Sequence, residues 1–339
     1  MKKVLFVTTA LIATASMAAA DVRFSGYGRF GLDYNDANSN DFNQPGNGRS
    51  ETNITSRLRL QIDMSTESDG GVEFGARYRI QAESRDNVPT TAVANGARFH
   101  ASYGGFRLEV GNIAGSIDAL PGLYLPTSSA DTGIDGMGFH SNVANVNGVG
   151  GFFDFPGYSS AGAGVNGIAV IYSAGAFGAH LSYNTTNAAV GAAGTPQAGI
   201  VVGRPADTVN AHISYSFGDW TAALGVQDTD AVGSDKVVAT LTGSIGAFGV
   251  GVAYAQNSDA GGPGVDIDKV RIYGSFDIGA ASTILVWAAN EDNPNPIFDG
   301  TSYGLNFSTD LGGGVSFDAG FVETQFDQTQ AQAGVYFRF

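Results

Sequence analysis

Apolar and polar residues alternate one for one along most of this chain. From Val22 to Tyr34 the even positions hold Val22, Phe24, Phe30, Leu32 and Tyr34, with Gly26 and Gly28 between them, while Arg23, Ser25, Arg29 and Asp33 take odd positions. A period of two puts successive side chains on opposite faces of a strand, so one face is apolar and the other wet. The pattern returns with Ile54, Leu58, Leu60, Ile62 and Met64 against Asn53, Thr55, Arg57, Arg59, Gln61 and Asp63. It returns again with Val72, Phe74, Ala76, Tyr78 and Ile80 against Glu73, Arg77, Arg79, Gln81 and Glu83.

Followed to the end, the alternation predicts sixteen strands, at 22–34, 52–64, 72–83, 96–103, 105–112, 166–173, 176–184, 208–217, 219–228, 236–245, 247–257, 268–278, 280–290, 301–309, 314–323 and 330–339. Their connections alternate in length. Tight joins at Gly104-Gly105, Ala174-Gly175, Gly218-Asp219, Gly246-Ala247 and Gly279-Ala280 suit short hairpin turns. Between them lie long polar segments, Asn35–Ser50, Ser84–Asn95, Thr185–Asp207, Gln256–Ile267 and Glu291–Gly300. Aromatic residues crowd the tight-turn side: Tyr103, Phe106, Phe177, Phe217, Trp220, Phe248, Phe276, Phe307, Phe317, Phe337 and Phe339. An even number of alternating strands, loops sorted by length and an aromatic girdle are the marks of an all-β fold, a 16-stranded antiparallel transmembrane β-barrel.

Composition agrees. Charged residues make up 14 % of the chain against about a quarter in soluble domains, so its surface is not built for water alone. No cysteine is present, which removes disulfides, thiolate metal sites and cysteine catalysis. Lys2 and Lys3 precede an apolar run from Val4 to Met17 that ends in Ala18-Ala19-Ala20, the form of a cleaved secretory signal peptide. The expected organisation is therefore a signal peptide at 1–20 and one barrel domain at 21–339. Without the two leader lysines the formal charge of −15 becomes −17, and an acidic chain of this kind is expected to have no nucleic-acid partner.

On the last strand Ala331, Ala333, Val335, Phe337 and Phe339 share one face. This resembles the C-terminal assembly signal of outer-membrane barrels. With the opening Asp21-Val-Arg-Phe-Ser-Gly-Tyr-Gly-Arg-Phe-Gly and the segment Phe106-Arg-Leu-Glu-Val-Gly-Asn112 leading into Pro121-Gly-Leu-Tyr124, the chain resembles the general porins of the Rhodobacter type. The resemblance implies a homotrimer in the bacterial outer membrane, beside lipid and lipopolysaccharide. It also implies a third loop folded into the barrel. Residues 113–164, which lack alternation and contain Phe152-Phe153-Asp154-Phe155-Pro156, leave room for such a constriction loop.

The alternation also sorts the charges. Arg29, Arg57, Arg59, Arg77, Arg79 and Arg98 fall on the polar faces of four consecutive strands and are expected to form one basic patch on the lumen wall. Guanidinium groups stay ionised and repel one another unless carboxylates or water intervene. The long loop offers Asp118, Asp131, Asp135 and Asp154, with Glu109 on the strand before it. An acidic loop facing a basic wall creates a transverse field, which passes small polar solutes and ions and turns apolar ones away. The simpler alternative pairs the arginines with Glu73, Glu83 and Asp63 to stabilise the wall. No cofactor is required by this reading. The resemblance implies calcium at the loops, and Asp131 with Asp135, Asp228 with Asp230 and Asp266 with Asp268 could supply oxygen ligands, although no EF-hand spacing is present.

Two enzyme patterns fail in context. Gly26-Tyr-Gly28-Arg-Phe-Gly31 matches a dinucleotide-binding string but lies inside an alternating strand with no helix after it. His100-Ala-Ser102, His180-Leu-Ser182 and His212-Ile-Ser214 repeat because any polar i, i+2 pair shares one face of a strand. The expected function is a passive porin, not an enzyme; the competing readings are a solute-specific channel and, further off, an outer-membrane hydrolase.

Overall fold

The computed structural model describes residues 20–39, 48–85, 88–89, 92–127, 141–145, 155–186, 189–190, 201–202, 206–230 and 235–339. Sixteen strands form the wall: β1 (Asp21–Asn35), β2 (Thr52–Glu67), β3 (Glu73–Arg85), β4 (Arg98–Tyr103), β5 (Phe106–Asn112), β6 (Asn166–Ala174), β7 (Phe177–Thr186) and β8 (Ala206–Phe217), then β9 (Trp220–Thr229), β10 (Lys236–Ile245), β11 (Phe248–Gly262), β12 (Val265–Ile278), β13 (Ser282–Asp292), β14 (Gly300–Gly312), β15 (Val315–Glu323) and β16 (Thr329–Arg338). Each pairs antiparallel with its neighbours in sequence. β16 returns to β1 over a register running from Tyr27↔Arg338 to Asn35↔Gln330, so the sheet closes and leaves no edge. Short strand pieces at Val88–Pro89 and Val93–Ala94 lie along β3.

The tight joins follow from backbone chemistry. Gly104 and Gly105 both have positive φ (57° and 85°), as a type I′ hairpin turn demands. At Gly175, Gly218 and Gly246 only the glycine turns positive and the next residue does not, which suits type II′. One predicted loop proves shorter than expected. Much of 256–267 is strand, with β11 and β12 continuing to a turn at Pro263-Gly264 through a register shift between Asn257 and Gly262. Its polar composition concealed the strands, because a hairpin standing clear of the membrane is wet on both faces.

The distribution of side chains is that of a soluble protein turned inside out. Phe24, Leu58 and Ile272 are 64 %, 53 % and 56 % exposed, whereas Arg29, Lys236 and Arg271 are buried. Outward residues form an apolar band for lipid, and among the described residues no helix is long and apolar enough to make the crossing instead. At the seam, Gly26 and Gly28 of β1 give room to the rings of Phe339 and Phe337, where any side chain would collide with them. The glycine-rich string is thus a packing device between the first and last strands.

After β5 the chain turns into the barrel. Ile117, Leu120, Leu123, Val143, Ala144 and Phe155 of the third loop pack against Ala223, Val238, Ala253, Ala255 and Ile267 of β9 to β12. Leu125 continues the contact onto Leu285, Trp287 and Ala289 of β13 and Val322 of β15. The apolar core of the molecule therefore lies between the loop and one side of the inner wall. Close packing of the loop against the wall needs room, and the small inward residues Ala223, Ala253 and Ala255 supply it.

Candidate functional site

The six predicted arginines occupy one stretch of lumen wall on β1 to β4. Strand register places Arg29 beside Arg57, Arg59 beside Tyr27, and Arg77 beside Arg98. Their partners divide them into two kinds. Arg57 is ion-paired with Glu83 (Nη2–Oε2 2.5 Å) and Arg77 with Asp63 (Nε–Oδ1 2.6 Å). Arg59 and Arg79 instead donate to the neutral side-chain oxygens of Gln81 and Gln61, both at 2.8 Å. Among the described residues neither Arg59 nor Arg79 has a carboxylate partner. The pairing alternative thus holds for Arg57 and Arg77; Glu73, also named for it, meets His100 instead, at 3.0 Å.

The acidic residues need one correction. Glu109 does not face the arginines across the lumen. It lies next to them on the same wall, buried, with Arg98 at 3.4 Å and Arg107 at 2.8 Å. Register explains this, since β4 and β5 pair directly and set Glu109 opposite His100, one inward position from Arg98. Asp118 lies at the base of the loop, accepting from the Tyr124 hydroxyl at 2.5 Å and the Tyr158 amide at 2.9 Å. Burial pushes its carboxyl up from the ordinary range, against the opposing pull of those two hydrogen bonds and of Arg79 and Arg98. Asp131, Asp135 and Asp154 fall outside the described residues.

Several functional contacts were not anticipated from sequence. Tyr158, on the returning limb of the loop, puts its ring under two guanidiniums, with Arg79 at 4.5 Å and Arg98 at 4.6 Å from its centre. Ser160 accepts from Arg79 at 2.9 Å. The loop base is tied to β7 and β8: the Ser116 amide donates to Ser182 Oγ at 2.9 Å, and His212 Nδ1 lies 2.6 Å from the Ser116 carbonyl. That contact occupies His212, so the second and third His-x-Ser pairs serve as anchors for the loop. Lys269 and Arg271 on β12 are further inward cations, and their alternation with Val270 and Ile272 is a signal that could have revealed them. Tyr158 carried no such signal, because the loop has no period.

Members of the two described acidic pairs are engaged in local bonds. Asp268 accepts from the Tyr254 hydroxyl at 2.8 Å and from Gln256 at 3.1 Å, and Asp230 accepts from the Asp207 amide at 3.3 Å. Among the described residues no three histidines, aspartates or glutamates gather as a metal would require.

A closed barrel with a lipid-facing apolar band, a polar lumen and a loop laid inside it defines an outer-membrane diffusion channel. The family model for the Gram-negative porin matches residues 7–329, and the chain belongs to that family. A porin of Fuscovulum blasticum is 32 % identical over 333 residues, covering 94 % of this chain and all of the relative. A porin of Rhodobacter capsulatus is 25 % identical over 350 residues with the same coverage. A solved engineered variant of Rhodopseudomonas blastica porin superposes with a TM-score of 0.72 at 26 % identity, again over 94 % of this chain and 100 % of that one. The protein is an outer-membrane channel for passive diffusion of small hydrophilic solutes and is not an enzyme.

Proposed function

We propose that the pore is narrowed between the arginine wall and the third loop, residues 113–164, and that a transverse field there selects what passes. Arg29, Arg57, Arg59, Arg77, Arg79 and Arg98 form the positive side in this reading. Asp118, Asp131, Asp135 and Asp154 supply the negative side, while Glu109 tempers the basic wall from within. The observation that carries the reading is the seating of the loop's apolar residues on β9 to β13 and on Val322 of β15, most of it across the ring from β1 to β4. Arg59 and Arg79, without carboxylate partners, would dominate the fixed positive potential. Water ordered in such a field resists displacement by apolar solutes, whereas small polar ones exchange with it.

The finer assignments form part of the same proposal. The chain is exported through a signal peptide cleaved after Ala20, assembles as a homotrimer, and contacts lipopolysaccharide at its outer rim. Calcium bound at Asp131 and Asp135 would bridge carboxylates that otherwise repel one another. Removal of residues 125–150 tests the constriction, because the described residues of that segment, 125–127 and 141–145, take no part in strand pairing and its loss should leave a folded barrel. The expected result is a larger single-channel conductance and passage of larger uncharged sugars. An unchanged conductance and sugar limit would refute the constriction.

A further inference from the structure

The loop is held by a group that its own wall does not satisfy. Arg271 on β12 is fully buried, and among the described residues it forms no ion pair. Its Nη1 donates to the carbonyls of Leu123 (2.5 Å) and Ser141 (3.2 Å), and its Nη2 donates to the carbonyl of Gly122 (2.6 Å). Among the described residues its Nε has no partner, and the ring of Tyr273 lies 5.8 Å away. A buried guanidinium normally demands a carboxylate; here the outward and returning limbs of the loop substitute for one with backbone oxygens.

From this arrangement we propose that Arg271 is a positioning residue that staples the two limbs of the third loop together and draws them to the far wall, which keeps the pore open. The inference rests on the constriction reading above. β12 lies halfway round the ring from β4, so a pull toward Arg271 is a pull away from Arg98 and its neighbours. The planar fork of arginine reaches several carbonyls at once, which the compact ammonium of lysine does not. A second anchor, the Thr240 hydroxyl donating to the Pro121 carbonyl at 2.6 Å, holds one limb only. Loss of the guanidinium would therefore free the limbs from each other without detaching the loop base at Ser116.

The experiment compares wild type, R271M, R271K and a channel lacking residues 125–150, alone and combined with R271M, in planar bilayers at 1 M salt, where screening suppresses any direct effect of the lost charge. R271M is expected to close spontaneously at least about tenfold more often than wild type, the factor that loss of even one of its three charged hydrogen bonds implies. R271K should fall between the two. In the loop-shortened channel, which lacks the Ser141 limb but keeps the bonds to Gly122 and Leu123, R271M should raise closures by less than it does in the full-length channel. Closure rates equal to wild type in R271M, an equal effect of R271M with and without residues 125–150, or failure of both variants to form a barrel of normal gel mobility would each overturn the proposal. If shortening the loop leaves conductance unchanged while R271M still raises closures, the constriction reading fails and the staple stands.

Discussion

Replacing Arg59 and Arg79 together by glutamine should turn the channel toward cations. Both guanidiniums face the lumen with only glutamine oxygens as side-chain acceptors on the wall, so the double change removes two fixed charges that form no ion pair among the described residues. A unit charge about 7 Å from the pore axis contributes about 0.6 kcal/mol to a monovalent ion in water, and screening at 0.1 M salt roughly halves that. Two such charges change the potential by about 0.6 kcal/mol, with opposite sign for cation and anion. The cation-to-anion permeability ratio should therefore rise about sevenfold. The assay is the zero-current potential across a bilayer in a salt gradient. As control, R57Q with E83Q removes the ion pair at 2.5 Å without net charge change and should leave the ratio alone. A zero-current potential that does not move in the R59Q and R79Q channel, or moves as far in the control, would refute the assignment of these arginines to the narrow section.

The seam and the lipid face give two further tests. G28L forces a side chain into the ring of Phe337 and should weaken the β1–β16 closure by about 1–3 kcal/mol. It would be seen as a lower temperature for the folded-to-unfolded mobility change in detergent gels, and an unaltered temperature would contradict the packing role. L58R places a charge on the exposed apolar band near mid-height and should cost about 2–4 kcal/mol. Its urea midpoint in lipid vesicles should fall accordingly, and a midpoint equal to wild type would mean that Leu58 does not face lipid.

How far the sequence disclosed this molecule varies with the element. Strand alternation located all sixteen wall strands because lipid on one side and water on the other impose the same period everywhere along the barrel. It failed between Asn257 and Gly262, where the hairpin rises beyond lipid and the contrast between faces vanishes. The arginine wall was legible for the same reason as the strands, since every inward arginine on β1 to β4 sits on the polar parity. Glu109 was misjudged because parity gives the face of a residue but not its neighbour across the ladder; pairing with Arg98 depends on register. Tyr158 and the backbone carbonyls that bind Arg271 were illegible altogether. They belong to a loop without periodicity, and carbonyl oxygens carry no side-chain signature.

The most direct test of the whole account is the conductance of the purified protein in a planar bilayer. A water-filled channel predicts discrete, large, ohmic steps whose size rises in proportion to the conductivity of the bathing salt. A correctly folded barrel that inserts yet gives no steps, or gives currents that saturate at low salt as a binding-limited pathway does, would contradict an open diffusion pore.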